Sequence, residues 1–136
     1  MNILFLDDDL NRVKVAKPLF IGHSVTWCTT AKEAIDAISN PMFGFHLYSL
    51  DCDLDGQQMA PLDEKSGFAV VQHMQEIPIA NLPEHVIIHS FNPVGSLKMQ
   101  EFIWNMNERD GTEVTPIRAL FGSDRYKDLL EKILNA

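Results

Sequence analysis

Acidic and polar side chains follow three apolar runs of this sequence, each at the point where a run ends. The acidic groups are Asp7, Asp8 and Asp9 after NILFL (2–6), and Asp51, Asp53 and Asp55 after FHLYSL (45–50). The third run, VIIHS (86–90), ends in His89 and Ser90, with Asn92 just beyond. If these groups meet, the carboxylates repel one another until one binds a proton or a divalent cation neutralises them. Mg²⁺ suits such an oxygen-only site.

The apolar runs read as strands that alternate with amphipathic helices. Strands are predicted at residues 2–6, 24–29, 45–50, 86–90 and 113–120. Helical spacing of apolar residues predicts one helix after each strand, beginning with Leu10 and Val13 after the first. Thr30 and Glu33 predict a capping box for the second helix, and Asp124 is predicted to cap the last one.

This alternation predicts an α/β fold: a doubly wound, five-stranded parallel sheet with helices on both faces, in three α/β/α layers. We expect the strand order 2-1-3-4-5 within a single domain of residues 1–136. Pro116 in the fifth strand suits only a sheet edge. In this order the first, third and fourth strands are neighbours, and their carboxyl ends form the edge where such sheets bind ligands.

The segment after His89 has the features of an anion-binding helix start. Pro93 is predicted in the first turn of the fourth helix, where its missing N–H costs nothing. Gly95 permits close backbone approach, and the free N–H groups of that turn favour an anion. A divalent cation bound beside such a helix start would complete a site for a phosphate group. Histidine ordinarily titrates near neutral pH, so His89 is the natural proton carrier.

Structural interpretations of the same residues stay open at this point. Asp9 suits a cap on the first helix, and His89 in a buried strand suits a satisfied core residue equally well. Ser90 and Asn92 also suit turn and N-cap chemistry. The acidic connection 52–67 is long for a compact domain, which is typical of a lid or binding loop but also of a solvated loop.

Composition narrows the classes of function. The net charge of −8 disfavours binding to duplex DNA, because such a surface repels a phosphate backbone. No stretch is long enough for a membrane span, and the N-terminus lacks the pattern of a signal peptide. Cys28 and Cys52 form no CxxC pair, so we expect small apolar packing roles for them in a reducing, cytoplasmic compartment.

With these residues in place, the chain resembles the response-regulator receiver superfamily. ILFLDDD (3–9) is similar to the receiver N-terminus, whose acidic pair holds Mg²⁺. LYSLD (47–51) resembles the third strand that ends in the phosphoacceptor aspartate. The resemblance covers nearly the whole chain and implies the flavodoxin-like receiver fold.

A longer match is to the cyclic-phosphate processing receiver-like family. LDCDL (50–54) is similar to the LD-x-DL motif of that family, and HSFNPVGSLKM (89–99) is similar to its HS-x-NPVG-x-x-x-M motif. The resemblance implies action on cyclic phosphate ends, such as the 2′,3′-cyclic phosphates met in RNA repair, and a functional role for His89.

The chain departs from both patterns. Relatives often have a histidine between the two aspartates of the first motif, where Cys52 stands here. The lysine that receivers carry in the fifth strand has no match, and Arg118 is the nearest candidate. The missing lysine argues against a response regulator driven by phosphorylation.

Three hypotheses follow. The first is a metal-dependent phosphoesterase that opens a cyclic phosphate to a monoester. Its residues would be His89 and Asp51 for catalysis, Asp7, Asp8, Asp51 and Asp53 for Mg²⁺ or another divalent cation, and Ser90, Asn92 and Gly95 for the phosphate. The second is a signalling receiver phosphorylated on Asp51. The third is a non-catalytic binder of cyclic nucleotides. The expected partner is a cyclic-phosphate nucleotide or an RNA end.

Overall fold

The computed structural model describes residues 1–40, 42, 44–54 and 63–136 of the chain. Its strands are β1 (Asn2–Leu6), β2 (Ser24–Cys28), β3 (Leu47–Leu50), β4 (His85–Ile88) and β5 (Thr115–Arg118). Its helices are α1 (Leu10–Ala16), α2 (Ala31–Ile38), α3 (Gly67–His73), α4 (Pro93–Asp110) and α5 (Asp124–Leu134). Short 3-10 segments lie at Lys17–Phe20, Met74–Glu76 and Ile79–Asn81. The predicted alternation of strands and helices is confirmed.

The five strands form one parallel sheet in the order β2-β1-β3-β4-β5, as the sequence predicted. Pro116 lies in the edge strand β5, where the hydrogen bond that proline cannot donate is not needed by a further neighbour. β1 and β3 are neighbours at the centre of the sheet, and β4 lies on the other side of β3. The carboxyl ends of β1, β3 and β4 therefore lie at one edge.

Helices cover both faces of the sheet and bury two apolar clusters. On one face, residues of α2, α3 and α4 such as Ile38, Val71 and Ile103 pack against the sheet. On the other face, α1 and α5 pack against it, with Tyr126 among the largest buried side chains. The strands are nearly fully buried because both faces are covered, which explains their continuous apolar runs. The three-layer α/β/α prediction is confirmed.

Caps position the helices that border the sheet edge. Asp9 caps α1, since its Oδ1 accepts hydrogen bonds from the Asn11 and Arg12 amides. Thr30 caps α2 by accepting from the Glu33 amide at 3.1 Å, and the Glu33 carboxylate accepts in return from the Thr30 backbone, so the predicted capping box is confirmed. The predicted cap of the last helix is wrong by one residue. Ser123 accepts from the Tyr126 amide, and Asp124 is the first helical residue. A serine hydroxyl is an equally good cap, and here it comes first.

No helix within the described ranges has both the length and the apolar character needed to cross a lipid bilayer. Residues 55–62 of the acidic connection lie outside those ranges, and with them Asp55. The interpretation of that connection as a binding loop stays a prediction.

Candidate functional site

Asp7, Asp51 and His89 are the first residues after three adjacent strands, and the strand register places them side by side. Leu6 pairs with Leu50, and Leu50 pairs with Ile88. The backbone pairing continues beyond the strands, because the Asp51 amide donates to Leu6 and the His89 amide donates to Leu50, each at 2.9 Å. The predicted meeting of these residues at one sheet edge is confirmed.

The carboxylate of Asp7 is fully buried, and both its oxygens are engaged. Oδ1 accepts from the Asp9 amide at 2.9 Å and from Arg12 Nη2 at 3.0 Å. Oδ2 accepts from Arg12 Nε at 2.8 Å and lies 3.0 Å from His89 Nε2. Burial by itself would raise the pKa of Asp7, but the hydrogen bonds from His89 and Arg12 outweigh burial and lower the pKa to about 2. Asp7 is therefore an anion at neutral pH.

Arg12 is a site residue that the sequence analysis did not predict. Besides its two bonds to Asp7, its guanidinium lies 3.3 Å from Asp51 Oδ2 and 3.4 Å from Asp9 Oδ2. The Arg12 guanidinium thus bridges the carboxylates of Asp7, Asp9 and Asp51. The available signal was an arginine in the first turn of a helix that directly follows an aspartate run. Arg118 lies elsewhere, at the end of β5, and the charge beside Asp51 comes from Arg12 instead.

Asp51 has a different environment from Asp7, although the two lie in adjacent strands. It is 3% exposed, and its Oδ1 accepts from the Cys52 amide at 2.8 Å. Burial is the main cause that raises the pKa of Asp51 to about 6. The Asp7 charge adds to the rise, whereas His89, Arg12 and a hydrogen bond from Ser90 oppose it. The site therefore pairs a permanently ionised carboxylate with one that exchanges a proton near neutral pH.

The acidic groups at this edge fit a divalent cation. Asp7, Asp8 and Asp51 each present an oxygen, and these three atoms lie within 4.8 Å of one another. Carboxylate oxygens are the ligand type that Mg²⁺ prefers. The Arg12 guanidinium already bridges Asp7 and Asp51, so a cation that contacts Asp7 has to compete with it.

Asp53, the fourth predicted ligand, lies outside this group. Its Oδ1 accepts a hydrogen bond from Asn92 Nδ2 at 3.1 Å. The group of mutually close ligand atoms in the described part of the chain contains the other three aspartates. The contact with Asn92 ties the segment after β3 to the start of α4.

His89 is 1% exposed and belongs to a buried chain of hydrogen bonds. Its Nδ1 lies 2.8 Å from Ser49 Oγ, which in turn lies 2.8 Å from Tyr126 Oη. Because the ionised Asp7 can only accept, His89 Nε2 carries the proton of that contact. The Ser49 hydroxyl joins His89 Nδ1 to the Tyr126 hydroxyl, so each polar group of this buried chain has a hydrogen-bond partner. The His89 ring is stacked on Phe5, with ring centroids 4.9 Å apart, and almost none of the residue is exposed. It contacts the acidic site through Asp7 Oδ2.

The predicted phosphate-binding residues lie at the start of α4 and are largely engaged with one another. Ser90 Oγ accepts from the Asn92 amide at 3.1 Å and donates to Asp51. Asn92 caps α4, with its Oδ1 accepting from the Gly95 amide at 2.9 Å. A Cβ at Gly95 would overlap Cys52 Sγ and the Asn92 side chain. The glycine therefore lets α4 approach the segment after β3, and its role toward phosphate stays a prediction.

Gly67, at the start of α3, holds the same segment from the other side. Its amide donates to the Cys52 carbonyl at 2.9 Å, and a Cβ there would overlap the Asp51 carbonyl. Cys52 is fully buried between the two helix starts, and burial raises the pKa of its thiol to about 12. The thiol is therefore an apolar packing group, as predicted.

Several solved structures that resemble this fold are response-regulator receiver domains. A CheY-like receiver domain from Methanospirillum hungatei is 22% identical, with a TM-score of 0.61 over 98% of this chain and 90% of that one. The response regulator TrrA from Thermotoga maritima, solved in complex with Mg²⁺ and BeF, is 18% identical. Its TM-score is 0.61 over 97% of each chain. These likenesses show the receiver fold.

A search of curated proteins finds no match. The family model described as the cyclic-phosphate processing receiver domain matches residues 2–105, a span that runs from β1 into α4 and contains every aspartate of the site together with His89. The chain therefore belongs to the cyclic-phosphate processing receiver domain family.

Proposed function

We propose that this receiver domain binds cyclic phosphates and hydrolyses them to monoesters with the help of a divalent cation. The observation that carries the proposal is the coincidence of the family match with a built acidic site. The matched span contains Asp7, Asp8 and Asp51, whose oxygens lie close enough to share one cation. A receiver fold alone would not favour a cyclic substrate, and the family description supplies that chemistry.

The cation would be held by Asp7, Asp8 and Asp51. When bound, it would lower the pKa of a coordinated water and polarise the phosphoryl group. Asp7 suits a ligand because its pKa of about 2 keeps it charged. His89 positions Asp7 and keeps it ionised, so His89 is a positioning residue in this proposal and needs no contact with substrate.

Asp51 accepts the proton that the attacking water gives up. Burial raises the pKa of Asp51 to about 6 in the metal-free protein, and a bound cation would lower it again. Asp51 would therefore hold the cation through one carboxylate oxygen and take the proton on the other. The water oxygen forms a bond to phosphorus, one ring P–O bond breaks, and the leaving ribose oxygen takes a proton from solvent. Arg12, which is held among three carboxylates, lies where it can turn a guanidinium N–H toward the phosphoryl oxygens.

A panel of cyclic phosphates tests this proposal. The panel would contain nucleoside 2′,3′-cyclic phosphates, 3′,5′-cyclic nucleotides and a short RNA with a 2′,3′-cyclic end. Phosphorus NMR with and without Mg²⁺ distinguishes the cyclic ester from the monoester. Conversion of at least one substrate only with Mg²⁺ supports hydrolysis. Tight calorimetric binding with the ligand recovered unchanged would replace the enzyme by a non-catalytic binder.

A phosphorylated signalling domain is the second candidate, and one observation favours it. The Thermotoga maritima structure of the same fold was solved with Mg²⁺ and BeF, and here Asp51 directly follows the third strand and lies close to Asp7 and Asp8. Incubation with a small phosphodonor followed by intact mass measurement tests it. A stable adduct that Asp51→Asn abolishes would favour signalling over hydrolysis. In either role we place the protein in the cytoplasm, in keeping with its free, buried cysteines.

A further inference from the structure

A cavity of about 720 Å³ lies beside the acidic site, between α4 and the segment from β5 to the start of α5. The polar and aromatic residues that line it include Ser90, Phe91, Ser96, Gln100, Arg118 and Arg125. Its size falls in the range of pockets that hold small organic ligands such as a nucleotide. Ser90, a predicted phosphate-binding residue, lines this cavity, whereas Asp7, Asp51 and His89 do not.

The cavity has a positive lining in an acidic protein. Arg118 and Arg125 both line it, whereas the whole chain carries a net charge of −8. Within the described ranges no carboxylate lines the cavity or forms an ion pair with either arginine. Arg125 is held in place, because its Nε donates to the Arg118 carbonyl at 3.1 Å. The charge of this cavity suits an anion.

Two residues that line the cavity also contact residues of the acidic site. Ser90 lines the cavity and also donates a hydrogen bond to Asp51. The half-exposed ring of Phe91 lines the cavity too, and it lies 5.7 Å from the Arg12 guanidinium. An aromatic ring at such a junction offers a face on which a base can stack.

Strand register sets the separation between the two regions. Ile88 pairs with Arg118, and Ser90 follows two residues after Ile88. Strand geometry therefore places the Arg118 Cα about 8 Å from that of Ser90, within reach of a nucleotide that starts at Asp51. Ser96 adds a polar group in the cavity wall. It is 3% exposed, and its Oγ has no hydrogen-bond partner in the part of the chain that the structure describes.

We propose that this cavity is a second anion subsite, one that holds the phosphodiester attached to the nucleoside whose cyclic phosphate lies at Asp51. The proposal rests on the proposed function and narrows its substrate to an oligonucleotide end of at least two nucleotides. The nucleoside stacks on Phe91, and Arg118 with Arg125 binds the next phosphate. A cyclic mononucleotide leaves the two arginines without an anion.

Two synthetic ligands test the subsite in the presence of Mg²⁺. One is the dinucleotide ApA with a 2′,3′-cyclic phosphate end, and the other is the same molecule with a neutral methylphosphonate linkage. Single-turnover cleavage at rising protein concentrations measures the half-saturating concentration and the cleavage rate for each ligand, and calorimetry measures the affinity of any ligand that is recovered unchanged. We expect the charged linkage to bind about tenfold more tightly at low salt, and the difference to shrink as salt rises.

The double variant Arg118→Gln with Arg125→Gln should bind both ligands equally, while its affinity for the neutral ligand matches that of the native protein. The double variant Lys127→Gln with Lys132→Gln, which removes the same number of positive charges from α5 outside the cavity, should keep the tenfold difference. Equal affinities in the native protein, or a difference that survives the double arginine variant, would overturn the subsite while leaving the proposed function intact. Failure to bind or cleave either ligand would overturn both.

Discussion

Arg12 donates two parallel hydrogen bonds to Asp7, from Nε to Oδ2 at 2.8 Å and from Nη2 to Oδ1 at 3.0 Å. The same Nη2 lies 3.3 Å from Asp51 Oδ2. A guanidinium of the chain therefore sits between the two carboxylates that a divalent cation would bridge. The Arg12 guanidinium and a divalent cation would neutralise the same negative charges, so the two must compete for the carboxylates of Asp7 and Asp51.

Removal of Arg12 should strengthen Mg²⁺ binding. In Arg12→Ala the cation no longer competes with a guanidinium, so we expect the Mg²⁺ dissociation constant to fall about tenfold, measured by calorimetry. Without Mg²⁺ the variant should lose about 2 kcal/mol of unfolding free energy, because buried carboxylates lose their partner, and Mg²⁺ should restore much of this. Arg109→Ala, which removes an exposed pair with Asp110, is the control and should change neither quantity. Unchanged or weaker Mg²⁺ binding in Arg12→Ala would contradict the competition.

The pH dependence of Mg²⁺ binding should report the protonation of Asp51. The fold raises its pKa from 3.8 to about 6, so the protonated carboxyl is favoured in the metal-free native state. Its contribution to stability is complete below about pH 4 and is lost as the pH rises to about 6. Mg²⁺ needs the ionised form, so its affinity should rise about tenfold per pH unit across the same window and level off above it. Asp7 lies outside this window because its pKa is about 2.

Titration of Mg²⁺ at several pH values checks this expectation, with Asp51→Asn as the comparison. The variant should bind Mg²⁺ more weakly and show a much flatter pH profile. A native profile that is flat between about pH 4 and pH 6 would contradict the assignment of Asp51 as the titrating ligand.

Much of the fold follows from the residues themselves. Apolar runs bounded by polar groups predict the five strands, and their order brings Asp7, Asp51 and His89 to one edge. Local rules also predict the cap by Asp9 and the proline in the first turn of α4. The strands and the helix caps depend on residues within a few positions of one another, so the spacing of residue types in the sequence predicts them.

The rest of the site depends on side-chain directions that spacing does not give. Nothing in the sequence says that Arg12 turns back from α1 onto Asp7 and Asp51. The buried chain from His89 to Tyr126 joins residues 77 positions apart at the Ser49 step, so it appears only when α5 is packed on the sheet. The signal that was available is a serine inside the apolar strand LYSL, because a buried hydroxyl needs a partner.

Substitutions along that buried chain should have graded effects. Tyr126→Phe removes one hydroxyl and keeps the ring packing, so we expect a loss of about 1 kcal/mol in unfolding free energy. His89→Ala removes a stacked ring and the hydrogen bond to Asp7, so we expect about 3 kcal/mol. Chemical unfolding at neutral pH measures both. If His89 acts through Asp7, only His89→Ala should also weaken Mg²⁺ binding. Equal Mg²⁺ affinities in His89→Ala and Tyr126→Phe would argue against this positioning role.

Two glycine-to-alanine substitutions test how closely the start of α3 packs against the segment after β3. Gly67→Ala places a Cβ against the Asp51 carbonyl, so α3 or the segment has to shift, and we expect at least about 2 kcal/mol of destabilisation. Gly44→Ala is the matched control, because a Cβ there meets nothing within 4 Å. Thermal unfolding of the two variants compares them directly. A Gly67→Ala protein as stable as Gly44→Ala would show that the helix start is not packed on Asp51.

The most direct test of the account is the rate at which the protein opens a cyclic phosphate in Mg²⁺, followed by phosphorus NMR on the best substrate of the panel. Asp51→Asn should lower that rate about a hundredfold or more while remaining folded by circular dichroism. Asp36→Asn, which changes an exposed carboxylate paired with Lys32, should keep the native rate. A native-like rate in Asp51→Asn would contradict the claim that the acidic edge of this sheet processes cyclic phosphates.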